Sequence, residues 1–371
     1  MSSRNFVNGR EAESSLVSVV IPAYNAQEFI ERTLHSALAQ THLNLEVLVI
    51  DDGSTDRTLD IVQRLARADA RVKIFSIPNA GVAEARNFGL RNSAGGYVAF
   101  LDADDLWHPN KIEAQLAALN AAPNAAACYV MFRTIDSSDM VTGSASAIGR
   151  SGYAFAHHLY ARPVGNGSSL LVRREIALSV GGYDSSWAAQ GLGGCEDYDF
   201  ELKLAARYPL VFVERYLLGY RSYPGNMSSN RVRMARALIA TTEHHLRINE
   251  GLPSWFVRKA TGSATEFAIL NFFADRLFFR TVLALSKLLR HDLIAGTQLA
   301  YALAGRICAY MFPAKPIPKS TRDERRFEEM CPDEGVTSYK PTRREQRTRE
   351  RIAKLDLILA AHRGTRPQSR R

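Results

Sequence analysis

The sequence predicts an α/β fold built on a parallel sheet, and two observations carry that prediction. Three short apolar runs, Val17-Ser18-Val19-Val20-Ile21, Leu45-Glu46-Val47-Leu48-Val49-Ile50 and Tyr97-Val98-Ala99-Phe100, each stop in polar or acidic residues. Helix-length segments, 27–40 and 58–68, separate the first runs. Strand, helix and strand in alternation read as βαβ units, which bring the strand ends to one edge of the sheet.

Each element has its own reason. Residues 1–15 read as a flexible lead-in. The first strand stops at Pro22, and the second ends in Asp51-Asp52-Gly53-Ser54-Thr55-Asp56. A third, Val72-Lys73-Ile74-Phe75, is followed by Asn79-Ala80-Gly81, which supplies turn chemistry before a helix running through Arg91. Pro109 suits the opening of a helix over 111–120. Beyond Ala125 the pattern loosens. Residues 126–132 and 168–172 are strand-like, 136–152 is a polar Gly- and Ser-rich stretch expected to be a mobile loop, and an acidic run from Cys195 opens a helix through Ala206.

After Asn230 the chain is strongly helical. Residues 270–289 and 293–312 are rich in Leu, Ala and Phe. The second approaches the roughly 20 residues of a bilayer span, but Thr297, Gln298, Gly305 and Arg306 weaken it. A packed helical pair is expected, with an interfacial helix as the alternative. Pro313, Pro316 and Pro318 then begin a tail. The expected division is a lead-in at 1–15, a catalytic domain at 16–230 with halves 16–106 and 107–230, a helical region at 231–312 and a basic tail at 313–371.

Composition is that of a globular protein, 46% hydrophobic and 23% charged. Cys128, Cys195, Cys308 and Cys331 show no CxxC spacing, which points to reduced thiols in a cytoplasmic protein, and no secretory signal is visible near the start. The net charge of +9 is concentrated late: residues 313–371 hold 16 basic and 9 acidic side chains. Few aromatics interleave with that charge, so nucleic acid is not the expected partner. A solvated charged tail and attraction to an anionic membrane surface at the inner face of the plasma membrane both remain open.

The densest chemistry lies in Leu101-Asp102-Ala103-Asp104-Asp105. Three clustered carboxylates after a buried strand are costly unless something neutralises them. Mg²⁺ or Mn²⁺ takes such oxygen ligands and shares them with phosphates. A solvated acidic turn capping the next helix is the competing reading.

Val19-Val20-Ile21-Pro22-Ala23-Tyr24-Asn25, Asp51-Asp52-Gly53-Ser54-Thr55-Asp56, Leu101-Asp102-Ala103-Asp104-Asp105 and Cys195-Glu196-Asp197-Tyr198-Asp199 occur in this order. Together they resemble glycosyltransferase family 2, over roughly residues 16–227. The resemblance implies a GT-A fold, an inverting mechanism, a nucleotide-diphosphate sugar donor and a divalent metal. It assigns Asp51 to the N3–H of a uracil-type base, so the donor is expected to be UDP-linked, and it places Pro22, Tyr24, Asn25 and Glu28 around the nucleotide. Asp104 corresponds to the metal ligand, Asp102 to a contact with ribose or metal-bound water, and Arg86 to an Arg beside the diphosphate. Asp197 corresponds to the general base that accepts the acceptor hydroxyl's proton, while Asp52, Asp56 and Asp105 read better as turn or cap carboxylates.

Two departures matter. Tyr220-Arg221-Ser222-Tyr223 puts Tyr223 where many relatives carry His in a Tyr-Arg-x-His pattern, and Tyr ligates a metal less readily. The Gln-x-x-Arg-Trp element of processive members is absent, which favours single addition to a glycan or lipid-linked acceptor. A sugar nucleotidyltransferase is the rival enzyme, although Pro22-Ala23-Tyr24-Asn25-Ala26-Gln27 lacks the Gly and Lys of its phosphate loop. A degenerate, nucleotide-sugar-binding scaffold is the non-enzymatic rival.

Overall fold

A computed structural model describes residues 16–145, 148–249, 251–311, 325–336 and 341–364. The expected lead-in at 1–15 and the remaining parts of the tail lie outside the described residues. The first half runs β1 (Val17–Ala23), α1 (Ile30–Leu38), β2 (Leu45–Asp51), α2 (Thr58–Ala68), β3 (Val72–Ser76), α3 (Val82–Asn92) and β4 (Tyr97–Phe100). The second half adds β5 (Leu106–Trp107), α4 (Lys111–Ala121), β6 (Ala127–Ile135), β7 (Val141–Ser144), α5 (Phe155–Ala161), β8 (Leu171–Arg173), α6 (Arg174–Ser179), α7 (Ser186–Ala189), α8 (Glu196–Ala205) and β9 (Leu210–Arg221). The C-terminal elements are α9 (Arg231–Ile248), α10 (Ser254–Ala274), α11 (Phe278–His291), α12 (Leu293–Met311) and α13 (Arg343–Gly364).

One mixed sheet holds both halves, in the order β3-β2-β1-β4-β8-β6-β9-β5, with β7 hydrogen-bonded to β6. The strands β3, β2, β1 and β4 are parallel, as the βαβ alternation predicts. The strand β8 then enters antiparallel against both β4 and β6. Alternate residues explain why β1, β2 and β4 are apolar throughout. Val20, Leu48, Ile50, Val98 and Phe100 face one helical layer, while Val19, Ile21, Val47, Val49 and Ala99 face the other. Helix α3 lies unusually close to β1: a Cβ at Gly89 would stand 2.3 Å from a Val20 methyl.

Several boundaries differ from the sequence expectation for local reasons. The stretch expected to be a loop from Asp136 contains β7, because Asp136 accepts the amides of Ser138 and Met140 and turns the chain into a hairpin. The segment at 168–172 is split. Gly167–Ser169 forms a 3-10 turn and only Leu171–Arg173 is strand; the Ser168 hydroxyl accepts from the Asp102 amide in the turn after β4 and the Ser169 hydroxyl from the Val130 amide of β6. The helix expected over 270–289 breaks at Arg276, whose φ is 58°, where the amides of Arg276 and Leu277 bond back to Phe273 and Phe272. The expected helical pair is present: Leu299 and Leu303 of α12 pack on Ile269 and Leu288. No described helix is long and apolar enough to cross a membrane.

The C-terminal region shares the core of the domain. Leu238, Phe256, Ala260, Ile352 and Leu355 pack in the same cluster as Val20, Phe100 and Phe200. The described parts of the tail are therefore built in rather than solvated. Phe327 and Met330 pack with Leu106, Ile135 and Val141. In α13, buried Asp356 accepts the amides of Ala156 (2.7 Å) and His157 (3.3 Å), capping α5 from 200 residues away.

Candidate functional site

The ends of β1, β2 and β4, the turn before β8 and the start of α8 enclose a cavity of about 770 Å³. One end is lined by Pro22, Tyr24, Asn25, Glu28, Asp52 and Asn79; Asp102, Asp104, Arg86, Asp197 and Tyr223 line the rest together with Arg162 and Asn166. Met234, Leu238 and Phe267 come from α9 and α10, so the C-terminal helices complete the wall.

The end lined by the loops after β1 and β2 is organised by short polar contacts. Tyr24 is 53% exposed, its ring available at the mouth. Asn25 has φ 49° and its side chain accepts the Thr55 amide at 2.8 Å, so it clamps the loops after β1 and β2 together. Asp52 accepts the Ala80 and Gly81 amides at 2.7 and 2.9 Å, ordering the entry to α3, and Asp56 caps Thr58. Both keep the turn-forming roles expected of them. Asp51 is buried at the end of β2, accepts the Ser54 amide at 3.2 Å, and lies just outside the cavity lining.

The carboxylate centre is more tightly built. Arg86, buried on α3, donates to Asp102 at 2.5 Å and lies 5.1 Å from the centre of the Tyr183 ring. Burial opposes the guanidinium's charge, but Asp102, Tyr183 and Asp197 more than restore it and hold its pKa above the ordinary value. The backbone at Gly167 sits against this pair; a Cβ there would be 2.7 Å from the guanidinium. Asp104 is half-buried, and burial with Asp102 nearby raises its carboxyl to about 6, while the Tyr223 hydroxyl, donating to it, pulls the other way. Tyr223 thus stands within hydrogen-bond reach of Asp104.

Asp105 departs from its expected capping role. Its buried side chain accepts the Arg221 amide at 2.8 Å and the Ser168 hydroxyl at 2.6 Å. Arg221 is also buried. It donates to the Asp104 carbonyl at 2.5 Å and to Asp139 at 2.6 Å, so it braces the acidic turn. Sequence reasoning missed Ser168, whose hydroxyl accepts from the Asp102 amide at 3.0 Å; the polar Asn166-Gly167-Ser168-Ser169 run before β8 was its signal.

At the start of α8, Glu196 is buried and accepts the Gly194 amide at 2.8 Å, whereas Asp197 is half-buried and lines the cavity. A helix N-terminus was expected to favour charged Asp197. Instead burial dominates, with Glu196 adding to it and Arg86 opposing, and the carboxyl is pushed up to about 7. The weaker candidates are engaged elsewhere: Asp199 with His245 at 2.8 Å and Lys203 at 2.7 Å, and Glu201 with buried His158.

Among the described residues no group of three or more His, Cys, Asp or Glu side chains forms a metal cage. Asp104 and Asp102 nevertheless suit a hard cation, because two adjacent carboxylates at a cavity wall carry charge that burial penalises. Magnesium-type sites commonly use one or two carboxylates and complete the shell with substrate phosphates and water.

A mixed α/β sheet with this strand order and an Asp-x-Asp turn at the edge of a cavity has the GT-A fold. Residues 18–175 match the family model described as glycosyl transferase family 2. TuaG of Bacillus subtilis, a glycosyltransferase named for teichuronic acid biosynthesis, is 48% identical over 102 residues, covering 27% of this chain and 40% of that protein. The chondroitin synthase of Pasteurella multocida is 40% identical over 121 residues, covering 33% of this chain and 12% of the synthase. The match thus spans well under half the length of these relatives. Among solved structures, S. aureus TarS 1-349 in complex with UDP-GlcNAc superposes with a TM-score of 0.58 at 18% identity, over 79% of this chain and 89% of that one. The mannosyltransferase PcManGT from Pyrobaculum calidifontis, in complex with GDP-Man and Mn²⁺, gives 0.53 at 21% identity, over 80% and 81%. Both share the fold.

Proposed function

We propose that this protein is an inverting glycosyltransferase that moves one sugar from a UDP-linked donor to a hydroxyl of a glycan or lipid-linked acceptor. The observation that carries this reading is the placing of Asp102, Asp104, Arg86 and Asp197 around one cavity. The nucleoside rests at Tyr24, Pro22, Asn25 and Glu28, with Asp51 and Asp52 beneath it. Arg86 stabilises negative charge on the departing diphosphate, and its buried contact with Asp102 holds it in place before the bond breaks. Asp104, with Asp102, would hold a Mn²⁺ or Mg²⁺ ion, which supplies further charge stabilisation to the leaving group. Asp197 accepts the acceptor's hydroxyl proton as that oxygen attacks the anomeric carbon. A carboxyl raised to about 7 is a stronger base than an ordinary Asp and is still available near neutrality. The inverting outcome follows from one displacement with one base.

The test is release of nucleoside diphosphate from UDP-GlcNAc, UDP-glucose, UDP-galactose and GDP-mannose, with Mn²⁺ and a panel of glycan and lipid-linked acceptors. Turnover that disappears in Asp197→Asn is expected. Donor binding without turnover on any acceptor would instead leave a nucleotide-sugar-binding scaffold.

We also propose that the C-terminal region rests on an anionic membrane surface. Phe278, Phe279, Val282 and Leu283 are exposed on α11, with Arg280, Lys287 and Arg290 on the same helix. Apolar side chains bordered by cations match the interfacial zone of an anionic bilayer. This supports α11, rather than the tail, as the contact.

A further inference from the structure

Asn166 is 4% exposed, lines the cavity, and has no partner for either its Oδ1 or its Nδ2 atom. A buried carboxamide with both ends unsatisfied is costly, and native structures rarely leave one so without reason. Because both atoms are unpartnered, the exchange of O and N in the amide does not alter the observation.

The topology says which part of a donor it meets. The strands β2 and β1, which carry the nucleoside-facing residues, lie on one side of β4; the turn bearing Asn166 leads into β8, on the other side. The next residue, Gly167, abuts the Arg86–Asp102 pair. Asn166 therefore stands past the proposed diphosphate position, on the side away from the nucleobase, in the same cavity that Asp197 and Arg162 line. We propose that Asn166 binds the transferred sugar, its carbonyl accepting from one ring hydroxyl and its NH₂ donating to the adjacent one. The ligand class is a hexose with neighbouring free hydroxyls, still attached to its nucleoside diphosphate. This rests on the proposed donor site and deepens it: Asn166 reads the sugar, while the nucleotide is read elsewhere.

Calorimetry with Mn²⁺ separates the two. The probes are UDP and GDP alone, then UDP-GlcNAc, UDP-glucose, UDP-galactose and GDP-mannose, against wild type, Asn166→Ala and the isosteric Asn166→Asp. For the nucleotide sugars that wild type binds, both variants are expected to weaken affinity about 10-fold or more, the scale of losing hydrogen bonds to a substrate hydroxyl in a site built for them. Affinity for the free nucleotide is expected to stay within about twofold, and the melting temperature of ligand-free Asn166→Ala is expected not to fall, because no bond within the protein is lost. Equal weakening of free nucleotide and nucleotide sugar, or no change in either, would overturn the assignment. So would a lower melting temperature of Asn166→Ala with nucleotide-sugar affinity intact in Asn166→Asp, since Asn166 would then be structural. A wild-type protein that binds none of these nucleotides or nucleotide sugars would overturn the donor reading itself, and this assignment with it.

Discussion

At the residue scale, the site depends on carboxylates held in different environments. Asp197 is raised to about 7 by burial, and a base works only when deprotonated. Transfer at saturating donor should therefore rise with pH through about 7 and level above it. Asp197→Asn keeps the shape but removes the acceptor of the proton. Its transfer rate should fall by about 10²-fold or more, with the rising limb gone and donor binding retained. A rate–pH profile and a donor titration check both parts. Asp104 and Asp105 are neighbours with opposite roles. Asp104→Ala should abolish the Mn²⁺-dependent part of UDP affinity while the fold survives, measured by calorimetry with and without the metal. Asp105→Ala leaves the Arg221 amide and the Ser168 O–H without an acceptor in the interior. Its cost should be about 2–4 kcal/mol by denaturant unfolding, more than the loss of an exposed helix cap.

At the scale of elements, long-range contacts close what local sequence leaves open. The helix α5 has no side-chain cap of its own; Asp356 of α13 satisfies its first amides instead. Asp356→Ala should lower stability by about 1–3 kcal/mol, read by chemical denaturation, because two buried amides lose their acceptor. Removal of residues 325–371 should do more. It strips Phe327 and Met330 from the cluster with Leu106 and Ile135, and Ile352 and Leu355 from the main core. A truncated chain of this kind is expected to melt earlier or fail to fold, so it is a poor instrument for testing what the tail binds.

At the scale of the whole molecule, the membrane proposal is tested on the intact chain. Phe279→Ser with Leu283→Ser on the exposed face of α11 should reduce binding to phosphatidylserine-containing vesicles and leave the melting temperature unchanged. Wild-type binding should weaken with added salt, since the Debye length shortens to about 8 Å at physiological ionic strength. A vesicle co-sedimentation series reads both effects; wild type that stays in the supernatant at low salt would remove the proposal.

The sequence by itself determined the parallel half of the sheet, because strands buried on both faces must be apolar throughout and their ends must turn polar at the ligand edge. It also marked the acidic turn and the Glu196-Asp197 pair, since carboxylates after apolar runs stand out in any single chain. Only the tertiary structure decided what these groups do. Asp105 became a brace and Asp102 a partner of buried Arg86, since those partners are 116 and 16 residues away in sequence. The pKa of Asp197 depends on burial, which local helix rules do not register. Asn166 looks like an ordinary turn residue until the fold encloses its amide without a partner. The basic composition of the tail suggested a solvated arm, yet a few apolar and acidic side chains, Phe327, Met330, Ile352 and Asp356, tie its described parts to the core. Charge counts average over a segment, whereas packing is settled by the few side chains that find a buried place.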